Sequence, residues 1–224
     1  MTKTYIHVDT ANTFFRARHV VRGDLNDKIG MSIHTILSSV RKAWRDFNGD
    51  HVIFHLEGRS WRKDYYEPYK RQRTEARAAQ SPNEQEEDRV FWETFDQFKD
   101  FITNKTNSTV LHHPKLEADD LIAGFIQAHP NDDHVIISTD GDFAQLIAPN
   151  VKQYNGVSQT TITHEGYFDE NGKSVIDKKT NQAKAAPDPK WLLFEKCMRG
   201  DTSDNIFRSE EHTSELQSPM FISY

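Results

Sequence analysis

Apolar and polar positions along the chain follow two periods. Short runs at 4–9 (TYIHVD), 51–57 (HVIFHLE), 109–113 (TVLHH), 134–139 (HVIIST) and 151–155 (VKQYN) have the length and β-rich content of strands. Longer stretches between them have helical spacing. Residues 32–47 place Ile33, Ile36, Leu37, Val40, Ala43, Trp44 and Phe47 on one face, and 84–103 turn Phe91, Phe95, Phe98 and Ile102 inward. A further helix, 117–129, opens on acids. Strands alternating with helices predict an α/β fold with a mainly parallel twisted sheet flanked by helices. Phe14 and Phe15, just past the first strand, read as core; with Arg16 and Arg18 the same stretch is a secondary candidate for a phosphate contact. Residues 167–190 turn polar, a long loop or an excursion holding a weak hairpin. Residues 191–206 give a helix followed by a polar turn.

Bulk properties narrow this picture. The 224 residues suit one compact domain, with or without an appendage. No apolar run approaches the roughly 18 residues of a membrane helix. The N-terminus runs straight into a strand pattern, so no signal peptide is expected. The single cysteine, Cys197, excludes an internal disulfide and fits a reducing, cytoplasmic setting. The net charge of −6 argues against a nucleic-acid partner only until its distribution is read. Between Arg59 and Arg77 seven basic residues face three acids, a local +4.

The acids gather elsewhere. Parallel sheets bind ligands beyond the carboxyl ends of their strands. Asp9, Glu57, Glu117, Asp119, Asp140 and Asp142 fall at or just past such ends, and Asp201 and Asp204 follow the last helix. Eight carboxylates are too many for one hard cation; they suit two ions about 4 Å apart that clamp both oxygens of a phosphoryl transfer. No zinc-spaced His/Cys cluster, Ser-His-Asp context or phosphate-binding glycine loop competes with this reading. In the basic stretch, Arg59, Arg62, Lys63, Lys70, Arg71, Arg73 and Arg77 interleave with Trp61, Tyr65, Tyr66 and Tyr69. Such a surface holds phosphates and stacks unpaired bases, unless it is merely a solvated amphipathic helix.

Several motifs now fall in one order: VD at 8–9, WRKDYYEPYKRQR at 61–73, EADD at 117–120, STDGDFAQL at 138–146, PNVKQY at 149–154 and GDTSDNI at 200–206. Across residues 4–206 the chain resembles the phage and bacterial 5′-nuclease (flap endonuclease) family, most of all its T-even phage branch. The resemblance implies a PIN-like catalytic domain over 1–207 with a helical arch at about 59–90. It implies a divalent-metal-dependent 5′→3′ exonuclease or flap endonuclease, ribonuclease H-like, acting on 5′ ends of DNA or RNA–DNA. Two Mg²⁺ ions, replaceable by Mn²⁺, would be held by Asp9, Glu57, Glu117, Asp119 and Asp140 and by Asp142, Asp201 and Asp204, with Asp140 between them. Lys70 and Arg73 would steer the scissile phosphate and Tyr69 would stack on the terminal base. A single-strand-binding protein or a sliding clamp is an implied partner, and the chain would be monomeric, in the cytoplasm of an infected bacterium if phage-encoded. Two departures stand out. Glu57 occupies a position usually held by aspartate. The resemblance implies a helix–hairpin–helix region after GDTSDNI, whereas residues 208–224 (RSEEHTSELQS onward) resemble translated sequencing-adapter DNA, so the expectation is of a truncated chain with an artefactual tail. The competing readings are a structure-specific DNA-binding module with little turnover and a PIN-type ribonuclease.

Overall fold

Ile6 and Val8 lie on one face of the first strand, β1 (Thr4–Asp9), and His7 and Asp9 on the other; this alternation decides what covers each side. The computed structural model describes residues 2–20 and 23–208. The side chains of residues 17–20, Arg18 among them, and the tail at 209–224 lie outside the described residues. After β1 come α1 (Thr10–Val20), α2 (Leu25–Asp46), β2 (His51–Leu56), α3 (Arg62–Tyr65), α4 (Arg71–Ala78) and α5 (Pro82–Lys105). Then follow β3 (Thr109–His112), α6 (Ala118–Ala128), β4 (Asp133–Ile137), a 3₁₀ turn (Gly141–Leu146), β5 (Val151–Asn155), β6 (Thr160–Thr163), β7 (Gly166–Phe168) and α7 (Pro189–Arg199).

The strands form one sheet in the order β3-β2-β1-β4-β5-β6-β7. The first five are parallel, and β6 and β7 extend the sheet antiparallel. The expected α/β class is therefore present. Its larger core joins Ile6, Val8, Phe54, Val135 and Ile137 of the sheet to Phe14, Ile36, Ala43, Phe91, Phe95, Phe98 and Ile102. The inward stripe of α5 is the one its spacing predicts, and Ser81 and Glu84 close a reciprocal capping box at its start. A smaller core on the opposite face holds Ile122, Ile136, Phe143 and Val151.

That opposite face also carries a row of buried histidines. His134 Nε2 lies 2.9 Å from the His129 carbonyl, which can only accept, so this nitrogen donates. His134 Nδ1 then accepts from His7 Nε2, and His7 Nδ1 accepts from His55 Nε2, each at 3.0 Å. Burial keeps the rings neutral: it pushes His7 well below the usual imidazole range, His55 down to about 3, and lowers His134. The chain ends on His55 Nδ1, a lone pair without a partner among the described residues.

Several expectations need correction. The helix expected at 32–47 starts at Leu25, because the Asp24 carboxylate accepts from Asp27 N and caps it there. Leu37 and Trp44, counted on its inner face, are 41% and 42% exposed. The stretch 10–20, given no element, is helical. The fourth strand ends at Ile137, since Ser138 and Thr139 already turn toward the β1 end. The loop at 167–190 begins within β7 and contains a weak hairpin bridged at Ile176 and Ala183. The last helix stops at Arg199: Gly200 takes φ +68°, and a Cβ there would meet the Ile206 carbonyl at 2.3 Å. Among the described residues no helix is long and apolar enough to cross a membrane.

Candidate active site

The chain order in the sheet reverses at β1: β2 and β3 lie on one side, β4 and β5 on the other. A crevice opens beyond the strand ends at such a switch point. Asp9 ends β1, and Asp140 and Asp142 follow β4 beside it. Glu57 follows β2, Glu117 and Asp119 stand at the start of α6, and Asp201 and Asp204 lie in the hairpin after α7. All eight carboxylates line one cavity of about 1400 Å³, together with Lys63, Lys70, Arg73 and Arg77.

The eight acids are not electrostatically alike. Asp9 accepts from Ser138 Oγ at 2.8 Å, and no ion pair to it is present among the described residues. Burial, then Glu57 and Asp140, push its carboxyl up to about 8. Burial and the neighbours Glu117 and Asp120 push Asp119 up to about 7. Burial and Glu117 likewise raise Glu57. Glu117 is the reverse case. Burial would raise it, but Lys70 Nζ at 2.6 Å and Tyr69 Oη at 2.8 Å hold it below the usual range. Three of the remaining four acids have cations of their own. Lys196 Nζ bridges Asp142 and Asp201 Oδ2, and Arg73 pairs with Asp204 at 2.9 Å. Against its burial, Lys196 and Ser203 bring Asp201 down to about 2.

Asp9, Glu57, Asp119 and Asp140 thus converge with no direct ion pair among the described residues. Their donors are all carboxylate oxygens, and among the described residues neither histidine nor cysteine lines the cavity. Carboxylate oxygens of Glu117, Asp119 and Asp120 also come within 4.8 Å of one another. This donor set fits a hard, oxygen-seeking divalent cation.

The basic stretch divides in two. Lys63, Lys70, Arg73 and Arg77 are on the cavity wall. Arg62, expected to contact nucleic acid, turns inward and grips Asp120 at 2.7 and 3.0 Å and Glu117 at 3.0 Å. Tyr69, expected to stack on a base, is 5% exposed, with its hydroxyl on Glu117 and Asp204. Arg71 pairs with Glu67 and Glu75, and Arg59 with Asp64. Trp61 stands edge-on to exposed Tyr65, and Tyr66 Oη reaches the Asn205 carbonyl at 3.4 Å. Lys70 has φ +54°, an uncommon setting for a non-glycine residue, and its N–H donates to the Asp204 carbonyl at 2.9 Å.

Sequence reasoning missed two residues. Asp120 caps α6 by accepting from Glu117 N at 3.0 Å. Its capping-box spacing from Glu117 is a signal that could have found it. Lys196, a lone lysine before the Gly-Asp turn, carries no such signal.

Gly58 holds Glu57 against the α6 entrance: its N–H donates to the Leu116 carbonyl at 2.8 Å, and a Cβ would lie 2.0 Å from the His113 carbonyl. Both contacts are backbone, so neither can swing away. Gly58→Ala is expected to cost about 1–3 kcal/mol, as overpacking does, and to part Glu57 from Glu117. Thermal melting with and without Mg²⁺ checks this; an unchanged melting temperature would refute it.

The chain is similar to several known proteins. It is 27% identical over 195 residues to ribonuclease H of Enterobacteria phage T4, covering 80% of this chain and 55% of that protein. It spans about half the length of the curated relatives it matches first. The fold resembles the T5 5′-exonuclease with divalent metal ions (zinc) bound, with a TM-score of 0.71 and 23% identity, covering 93% of this chain and 70% of that one. It also resembles the bacteriophage T5 flap endonuclease in a pseudo-enzyme–product complex with DNA and metal ions, with a TM-score of 0.64, 19% identity and the same coverage. Residues 4–177 match the family described as 5′-3′ exonuclease, N-terminal resolvase-like domain, and the chain belongs to that family.

Proposed function

We propose that the chain is the catalytic part of a divalent-metal-dependent 5′→3′ nuclease that hydrolyses phosphodiesters near 5′ ends or flaps of DNA or RNA–DNA. The observation that carries this is the convergence of eight acids with Lys70 and Arg73 on one cavity at the sheet's switch point. Mg²⁺ is the proposed cofactor, with Mn²⁺ as a substitute; when bound it supplies Lewis acidity toward a water and the phosphate oxygens. Asp9, Glu57, Asp119 and Asp140 would hold it.

The remaining work falls to the chain's cations. Lys70 and Arg73 stand on the wall with their charges on Glu117 and Asp204. A phosphate entering the cavity offers both a stronger charge-assisted partner, and they would orient it and offset its developing charge. Lys63 and Arg77 would track the strand's other phosphates. The DNA- and metal-bound T5 enzyme supports this substrate class. A 5′-labelled flap substrate tests the reading. Mg²⁺-dependent release of label, abolished by EDTA, is expected; retention in a gel shift without release would leave only a DNA-binding module.

A further inference from the structure

Lys196 is a cation on the cavity wall that bridges two of the acids expected to hold a second ion. It projects from α7, and its Nζ contacts Asp142 Oδ1 and Asp201 Oδ2, the latter at 2.7 Å. The other oxygen of Asp201 is occupied as well, accepting from Ser203 N at 2.8 Å and Ser203 Oγ at 2.6 Å. Asp204, the third acid of that group, gives one oxygen to Arg73 and the other to Tyr69. Asp142, Asp201 and Asp204 are therefore each neutralised or hydrogen-bonded from within the chain. Of the first group Glu117 is held by Lys70 and Arg62, whereas Asp9, Glu57, Asp119 and Asp140 make no ion pair among the described residues.

Resting on the metal-dependent reading above, we infer that Lys196 is a resident counter-cation: its ammonium takes the place of a second divalent ion and sets that ion's affinity low. A divalent cation entering between Asp142 and Asp201 must displace the ammonium or share the site with it, and either is unfavourable at such short range. The position is poised for exchange, because Lys196 is anchored only through its flexible stem and its side chain is 32% exposed. Lys196 is thus a positioning residue for the acids of the second group. It holds Asp142 and Asp201 together while the first ion is bound alone.

Mn²⁺ titration followed by electron paramagnetic resonance, on the whole chain without nucleic acid, tests this. The parent chain should bind one Mn²⁺ tightly and a second weakly. Lys196→Met should tighten the second site by about tenfold or more and leave the first unchanged, since one unit charge has left its immediate neighbourhood. Lys196→Gln gives the same readout should the methionine variant fold poorly. Lys196→Arg, which keeps the charge, should behave as the parent. A merely structural lysine would give the opposite result, with both neutral variants binding the second ion no better or worse. One bound ion with no change in Lys196→Met or Lys196→Gln overturns the inference alone. No Mn²⁺ binding to the parent chain overturns the metal reading and the inference with it.

Discussion

Replacing Asp9 by asparagine is expected to lower Mg²⁺-dependent cleavage by about 10³-fold and, in the same protein, to raise the metal-free melting temperature. The two effects share one cause. Asp9 is 5% exposed at the end of β1, with no cation beside it among the described residues and with Glu57 and Asp140 facing it. Ionising it there is costly, which is why its carboxyl is pushed up to about 8. Asparagine keeps the shape and one oxygen to accept from Ser138 Oγ, which now contacts Asp9 at 2.8 Å. It removes the ionisable group, and with it the repulsion that a proton or a bound cation must otherwise relieve. Single-turnover cleavage of a 5′-labelled flap measures the first effect, and calorimetry in EDTA the second. Cleavage within about tenfold of the parent, or a lower metal-free melting temperature, would contradict this account of the site.

Parts of this arrangement can be read directly from the chain, and parts cannot. The strands β2 and β4 are legible because both their faces are buried and they carry the apolar runs 52–54 and 135–137, and β1 because Ile6 and Val8 alternate in a short β-rich run. The stripe of α5 is legible because Phe91, Phe95, Phe98 and Ile102 recur at helical spacing and all four face one core. Residues 10–20 are less so: only Phe14 and Phe15 are large and apolar before Val20, and the helix is held by packing on α2. The seven apolar positions of 32–47 span a wider arc than the core can cover, so Leu37 and Trp44 emerge exposed. The site divides in the same way. An acid at a strand end is a local feature, and the cavity gathers all eight that were expected. The identity of each acid's partner is not local. Arg62 meets Asp120 across 58 residues, Tyr69 meets Glu117 across 48, and Lys196 meets Asp142 across 54. Whether a basic or aromatic side chain faces substrate or faces an acid is settled by tertiary packing. Arg62 and Tyr69 were therefore placed on the outer surface by composition and are found turned inward.

Mg²⁺ is expected to raise the melting temperature more at about pH 8.5 than at about pH 6, by several degrees. Asp9 and Asp119 titrate in the folded chain at about 8 and about 7, whereas an unfolded aspartate titrates near 4. A carboxyl raised in this way favours the fold fully below about pH 4, and that contribution is lost as the pH climbs through 7 to 8. The metal-free chain is therefore weakened by this cluster across neutral pH. A divalent cation needs the ionised carboxylates, so at about pH 6 it must expel protons from Asp9 and Asp119, and at about pH 8.5 it need not. The buried histidines act in the other direction. Their folded-state pKa values are lowered, so their contribution is lost as the pH falls below about 6.5, where the unfolded chain takes up protons. They lie on the covered face of the sheet rather than in the cavity, so this loss occurs with and without Mg²⁺ and cancels in the difference. Melting curves in Mg²⁺ and in EDTA over the same pH series isolate the metal-linked part. A gain that is constant, or larger at about pH 6, would mean that these two carboxyls are not what the ion binds. With Asp9→Asn the gain should be smaller and its rise with pH flatter, because the proton with the highest apparent pKa in the cluster is no longer there to be displaced.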